Sequence, residues 1–313
     1  MAWFVLRRAL ATVPVIFIVM LAVFLVAHLG GSDPALIIAG DMASSGDVAA
    51  LRTSLGLDRP LPVQFIEWAV GTLQGDLGAS LFYGTPVSEM ILARIGPTIT
   101  LAIGTLLFAV SLGVPMGTLA ALTSGRWPDK LLMGIASLGF SLPIFIVAYT
   151  LVYWLALVPG WFPVQGFTPP QTDFGKFLLG MVLPVTTLGA FYMSLFSRVT
   201  RAAVLDMLKE DFVRTARAKG ATPLRVLTAH ALRCAAVPII TVIGASFAGL
   251  LGGVVVTETL FNIPGLGRLV TEGILKRDFP IIQGVILVTA LIYIFVNMLV
   301  DMVYALLDPR IRQ

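Results

Sequence analysis

Six stretches of the chain, 9–27, 98–121, 131–157, 178–197, 238–257 and 281–300, contain no Asp, Glu, Lys or Arg. A helix rises 1.5 Å per residue, so about 20 apolar residues cover the roughly 30 Å hydrocarbon core of a bilayer. Inside that core every backbone hydrogen bond must close within the segment, which an α-helix does. Each stretch is therefore expected to be a transmembrane helix, giving an all-α membrane protein with a single membrane domain over 1–313. Composition agrees: 58% of residues are hydrophobic and 12% charged, against about 25% charged in soluble domains.

Arg7 and Arg8 before the first stretch give it the look of a secretory signal. Its apolar run is longer than the usual 7–15 residues and lacks a clean small-x-small cleavage site, so an uncleaved span is expected. Basic residues are retained on the cytoplasmic side. With both termini inside, the cytoplasmic segments hold 14 of the 21 Lys and Arg, the densest group lying between Arg198 and Arg233. The formal charge of +4 is largely this topological bias, and a nucleic-acid partner, which requires a clustered basic surface, is not expected. Cys234 is the only cysteine, and His28 and His230, the only histidines, fall on opposite sides of the membrane. Neither a disulfide nor a His/Cys metal site is expected.

The connections are unequal. Residues 30–97 form a long extracytoplasmic segment in which turn signals such as Asp58-Arg59-Pro60 alternate with amphipathic runs, Val63 to Leu73 and Val87 to Ile95. Short helices lying along the outer membrane surface are expected there, either packing over the bundle or docking an external partner. The fifth span carries two small faces, Ala245, Gly249 and Gly253, and Gly244, Ala248 and Gly252. Small faces allow close helix packing, and they also suit a helix lining a pathway whose width changes as it tilts.

The 40-residue cytoplasmic connection 198–237 is patterned as two short helices. Phe212, Ala216 and Gly220 recur at helical spacing, and Gly220 supplies a left-handed stop. Thr222 then serves as N-cap and Pro223 as first helical residue, with Leu224, Leu227 and Ala231 as an apolar stripe. A helix, a glycine turn and a proline-started helix make a compact knob for another protein to grip, or a surface loop on lipid head groups.

The residues Glu210-Asp211-Phe212-Val213-Arg214-Thr215-Ala216-Arg217-Ala218-Lys219-Gly220, followed by His230-Ala231-Leu232-Arg233, resemble the ATPase-coupling loop of ABC importer permeases in the peptide/nickel branch. Ala216, Gly220 and Leu232 fall on the general form of that loop, whereas Arg214, Thr215, His230 and Arg233 depart from it as the peptide branch does. The similarity extends to Leu6-Arg7-Arg8, Gly31-Ser32-Asp33-Pro34, Leu55-Gly56-Leu57-Asp58, Gly75-Asp76-Leu77-Gly78, Thr257 to Phe261, Pro264 to Gly267 and Asp308 to Arg312.

The chain thus resembles the first of two permease subunits of a dipeptide/oligopeptide/nickel ABC importer. The resemblance implies a type I importer fold, a second homologous permease, two ATPases that bind ATP and Mg, an extracytoplasmic substrate-binding protein, and residence in a bacterial cytoplasmic membrane. It assigns ATPase coupling to Glu210, Asp211, Arg214, Ala216, Ala218, Lys219, Gly220, Thr222 and Pro223. It also makes Glu258, Phe261, Pro264, Gly265 and Gly267 a candidate outer gate or docking bend. No Gly-x4-Gly-Lys-Ser/Thr loop occurs in the sequence, so the chain itself is not expected to hydrolyse ATP. The alternative is an ion-coupled secondary transporter, which is expected to place an ionisable residue inside a span. Glu258 and Asp301 border the ends of spans, where solvated anchor positions are expected.

Overall fold

The computed structural model describes residues 2–29, 34–39, 44–54 and 56–307. The Gly31 to Asp33 turn, Leu55, the ending Asp308 to Arg312, and the side chains of Leu6, Arg7, Arg8 and Ala248 lie outside this set. In chain order the helices are α1 (Ala2–Leu29), α2 (Pro34–Ala39), α3 (Ser45–Ser54), α4 (Leu61–Leu73), α5 (Val87–Leu122), α6 (Trp127–Ser141) and α7 (Ile144–Leu151). They continue with α8 (Phe174–Met207), α9 (Asp211–Ala218), α10 (Pro223–Arg225), α11 (Leu232–Leu260), α12 (Leu266–Lys276) and α13 (Phe279–Leu307). Among the described residues, four helices are by themselves long and apolar enough to cross a membrane, and a bent pair makes up to five. The stretch 9–27 lies within α1, of which Leu10–Val26 is a shorter apolar segment.

The bent pair corrects the expectation of one helix over 131–157. α6 and α7 meet at 108° because Leu142 precedes a proline. Its backbone is extended, with ψ 130°, and Pro143 follows at φ −57° and ψ 140°. The pyrrolidine ring disfavours helical geometry in the residue before it, which ends α6 at that point. Beyond the bend, α7 runs into a π-helical turn, Val152–Leu157.

The chain forms two compact units, Met1–Gly96 with Pro264–Met298, and Pro97–Ile263 with Leu299–Gln313. In the first, Val87, Ile91, Leu266, Leu269, Ile281 and Val285 form a buried core. The polar framework of that unit rests on Asp278. Arg277 takes a left-handed φ of 56°, and the Asp278 N–H donates to the Gly273 carbonyl at 2.8 Å, ending α12 in a Schellman turn. The Asp278 carboxylate then accepts from the Ser80 hydroxyl at 2.5 Å and the Phe82 N–H at 3.2 Å. Its other oxygen accepts from the Ile281 N–H at 3.4 Å, capping α13.

In the second unit, α5, α7, α8 and α11 surround a core containing Leu101, Leu183, Leu188, Phe196 and Leu250. Glycines permit the closest approach. A Cβ on Gly113 would stand 2.7 Å from the Met193 carbonyl oxygen, and one on Gly117 would stand 2.8 Å from Thr200 Cβ. α8 has 34 residues, about 51 Å at 1.5 Å per residue, so it outruns a hydrocarbon core of about 30 Å. The excess carries its polar end, Arg198 to Met207, toward the 198–237 connection.

Candidate functional site

The connection between α8 and α11 is built on a single tight turn. α9 starts after Glu210, whose backbone is extended, with ψ 150°. It stops at Gly220, where φ is +81° and a side chain would be disfavoured. The Gly220 N–H donates to the Arg217 carbonyl at 2.9 Å and the Ala221 N–H to the Ala216 carbonyl at 3.1 Å, a complete Schellman turn. Thr222 accepts from the Arg225 N–H at 3.4 Å, and Pro223 opens α10.

The next step departs from the sequence reading. α10 does not end as a separate short helix; it passes through a π-helical turn, Val226–Ala231, directly into α11. The fifth long helix therefore starts at the glycine turn. Leu227 and Ala231 are buried as expected from the stripe, but Leu224 is 69% exposed. On α9 the buried residue is Val213, while Phe212 is exposed. Val213 and the half-buried Ala216 therefore form the inward side of α9.

Most of the assigned coupling residues lie on the outer surface of this knob. Glu210, Asp211, Arg214, Ala218, Lys219, Gly220, Thr222 and Pro223 are exposed, and Ala216 is half-buried. Asp211 pairs with Arg214 at 3.3 Å, one turn along the helix. α9 rests on the π-helical turn that leads into α11. The exposed face thus combines charges with the apolar Phe212 and Leu224.

Sequence reasoning missed the ion pair that braces α8 above this knob. Arg201, counted only for its effect on topology, donates from Nε and Nη2 to the two oxygens of Asp129 at 2.6 and 2.7 Å. Asp129, only 4% exposed in the first turn of α6, also accepts from the Gly125 N–H at 2.9 Å. This bidentate geometry joins α6 to α8 and stitches the α5–α6 turn. An acid directly after Trp127-Pro128 is a helix-start signal, but nothing in its spacing pointed to a residue 72 positions away.

The small residues of α11 divide by neighbour. A Cβ on Gly253 would stand 2.7 Å from Leu188 Cδ1, and one on Gly249 would stand 3.2 Å from the Tyr192 hydroxyl, so both mark contacts with α8. Gly244 faces Val300 of α13. Ala245 and Gly252 are exposed, with open space around Gly252. Among the described residues, Gly249 and Gly253 of the first small face thus meet α8, while Gly244 of the second meets α13 and Gly252 stands in open space.

Glu258 requires a correction. It was expected at a solvated helix border, yet it is fully buried in the last turn of α11, its Oε1 accepting from the Thr98 hydroxyl of α5 at 2.6 Å. The Thr98 hydroxyl gives the buried carboxyl group a hydrogen-bond partner, which offsets part of the cost of removing it from water. Asn262, at φ 54°, lets the Ile263 N–H return to the Glu258 carbonyl at 2.9 Å. Phe261 is buried and its carbonyl accepts from the Gly166 N–H at 2.9 Å. Gly265 and Gly267 are buried at the start of α12, and Pro264 is exposed.

Comparison with known proteins places this architecture. Residues 113–313 match the family model described as a binding-protein-dependent transport system inner membrane component, and residues 1–102 match the model of its N-terminal region. The chain is 46% identical over 312 residues, covering 100% of both proteins, to a probable peptide ABC transporter permease protein, y4tP, of Sinorhizobium fredii. It is 42% identical over 309 residues, 99% of this chain and 98% of the relative, to the glutathione transport system permease protein GsiC of Salmonella typhimurium. Among solved structures, a chain of the inward-facing MetNI methionine ABC transporter superposes with a TM-score of 0.58 at 15% identity, over 70% of this chain and 97% of that one. That likeness establishes the fold: an all-helical permease of the type I importer kind. The chain belongs to the family of inner-membrane components of binding-protein-dependent transport systems.

Proposed function

We propose that this permease forms half of the pathway of an ATP-driven importer for peptide-class solutes, with the α9–Gly220–α10 knob as the point where ATPase motion enters. The observation that carries the reading is the continuity from the knob into α11: an exposed surface locked by a Schellman turn leads, without a break, into a long membrane helix. ATP and Mg are held by two partner ATPases, and the chain itself is not catalytic. A second homologous permease completes the pore, a binding protein delivers solute from outside, and both termini are cytoplasmic. The names of the full-length relatives, a peptide and a glutathione permease, support a peptide-like cargo.

In mechanical terms, closure of the ATPase pair displaces α9, and the displacement tilts α8 and α11 together between inward- and outward-open states. Gly249 and Gly253 let α11 run tightly against α8, and the exposed Ala245 and Gly252 supply the small surface along the pathway. Glu258 and Phe261 end α11 at the outer side, where the bend through Gly265 and Gly267 forms the gate or docking surface. The test is reconstitution with the partner subunits in vesicles. Uptake of a dipeptide or glutathione that requires ATP supports the reading, and ATP-independent uptake driven by a proton or sodium gradient refutes it.

A further inference from the structure

α4 packs one side against α1 and leaves the other uncovered. The Phe65 ring lies 5.9 Å from Phe17 and 5.4 Å from Phe24, and Trp68 lies 5.8 Å from Phe24. Gln64 hydrogen-bonds His28 at 3.1 Å. Opposite these contacts, Val63, Ile66, Val70 and Leu73 are exposed, and their spacing places them in one helical stripe. Glu67 is the only ionisable residue of α4, and it pairs with Arg59 just before the helix.

Depth follows from the α1 contacts. Phe17 and Phe24 both sit in the charge-free stretch 9–27, and Phe17 is about 16 Å along the helix from His28 at 1.5 Å per residue. A side chain that touches both therefore reaches below the head groups, which occupy only the outer part of a membrane with an apolar core of about 30 Å. α1 also exposes Ile18, Leu25 and Val26, so the stripe on α4 continues an apolar belt already present on α1.

We propose that α4 is embedded in the leaflet at the His28 end of α1, with Val63, Ile66, Val70 and Leu73 in contact with lipid acyl chains. This inference rests on α1 crossing the bilayer. A stripe of large aliphatic side chains is unfavourable in water, its position adjoins the lipid-facing surface of α1, and the helix's single charge is held at the stripe's edge by Arg59. α4 acts as a fixed outer-leaflet anchor for the long segment between α1 and α5.

The test uses the reconstituted full transporter with Cys234→Ser as background and a bimane label at one introduced cysteine at a time: Ile66→Cys, Val70→Cys, Glu67→Cys or Ile18→Cys. Doxyl-labelled phosphatidylcholine reports lipid contact and iodide reports water. The expected result is lipid quenching at 66 and 70 as strong as at 18, with iodide quenching confined to 67. Iodide quenching at 66 and 70 overturns the proposal by placing the stripe in water. Protection from both quenchers overturns it by placing a protein partner there. If position 18 is also insensitive to the lipid quencher, the reading of α1 as a span falls with it.

Discussion

Replacing Gly220 strains the turn between α9 and α10 without creating a clash. The residue has φ +81°, and a Cβ built there meets nothing within 4 Å. The penalty is therefore one of backbone conformation, about 1–2 kcal/mol for a residue with a side chain in the left-handed region. That corresponds to roughly a 5–30-fold shift between formed and unformed turn. Alanine isolates this cost, leucine adds bulk to the exposed face of the knob, and asparagine, which tolerates left-handed geometry, restores most of the turn. In vesicles containing the complete transporter, the ratio of solute imported to ATP hydrolysed should fall in the order Gly220, Gly220→Asn, Gly220→Ala, Gly220→Leu. Membrane insertion should be unchanged, because the turn lies outside the helix–helix core. Wild-type coupling in Gly220→Leu, or equal loss in Gly220→Asn and Gly220→Leu, refutes the argument.

Gly117→Ala places a methyl 2.8 Å from Thr200 Cβ, so α5 and α8 must part; overpacking of this kind destabilises by about 1–3 kcal/mol, read as a lower melting temperature in detergent. Asp129→Asn leaves Arg201 without its carboxylate in a site where Asp129 is 6% and Arg201 29% exposed at the side chain; the loss is about 3 kcal/mol, and Asp129→Asn with Arg201→Gln should be less damaging than the sum of the single changes. Asp173 accepts from the Lys176 N–H at 3.0 Å, and that backbone bond is the main reason its carboxyl titrates below the usual range. Its folded-state value is depressed, so its stabilisation is present above the unfolded value of about 3.9 and is lost as pH falls through the lower folded value. Faster amide exchange at the start of α8 below pH 4, absent in Asp173→Asn, checks the sign.

The apolar stretches and the glycine turn were legible because each obeys a local rule. Charge-free length marks a helix in lipid, and Gly220, Thr222 and Pro223 each do what their own backbone chemistry dictates. Features that depend on distant partners were not legible. Glu258 sits one residue past a charge-free run, which suggested solvent, whereas Thr98 from another helix makes its burial tolerable. The fusion of α10 with α11 was hidden because Arg225, His230 and Arg233 broke the apolar pattern, although the helix continues through them with a π-helical turn. Pro143, like the other prolines in or at the ends of spans, reads as a kink or helix start, but apolarity on both sides made 131–157 read as one span and hid a bend as large as 108°.

Affinity purification of this chain from native membranes in mild detergent, with ATPase activity measured on the purified material, tests the central claim most directly. A second permease and ATPases should come with it, and ATP hydrolysis should rise when a loaded binding protein is added. A lone chain from an intact, transport-competent membrane, with no ATPase activity in the purified material, would contradict the account.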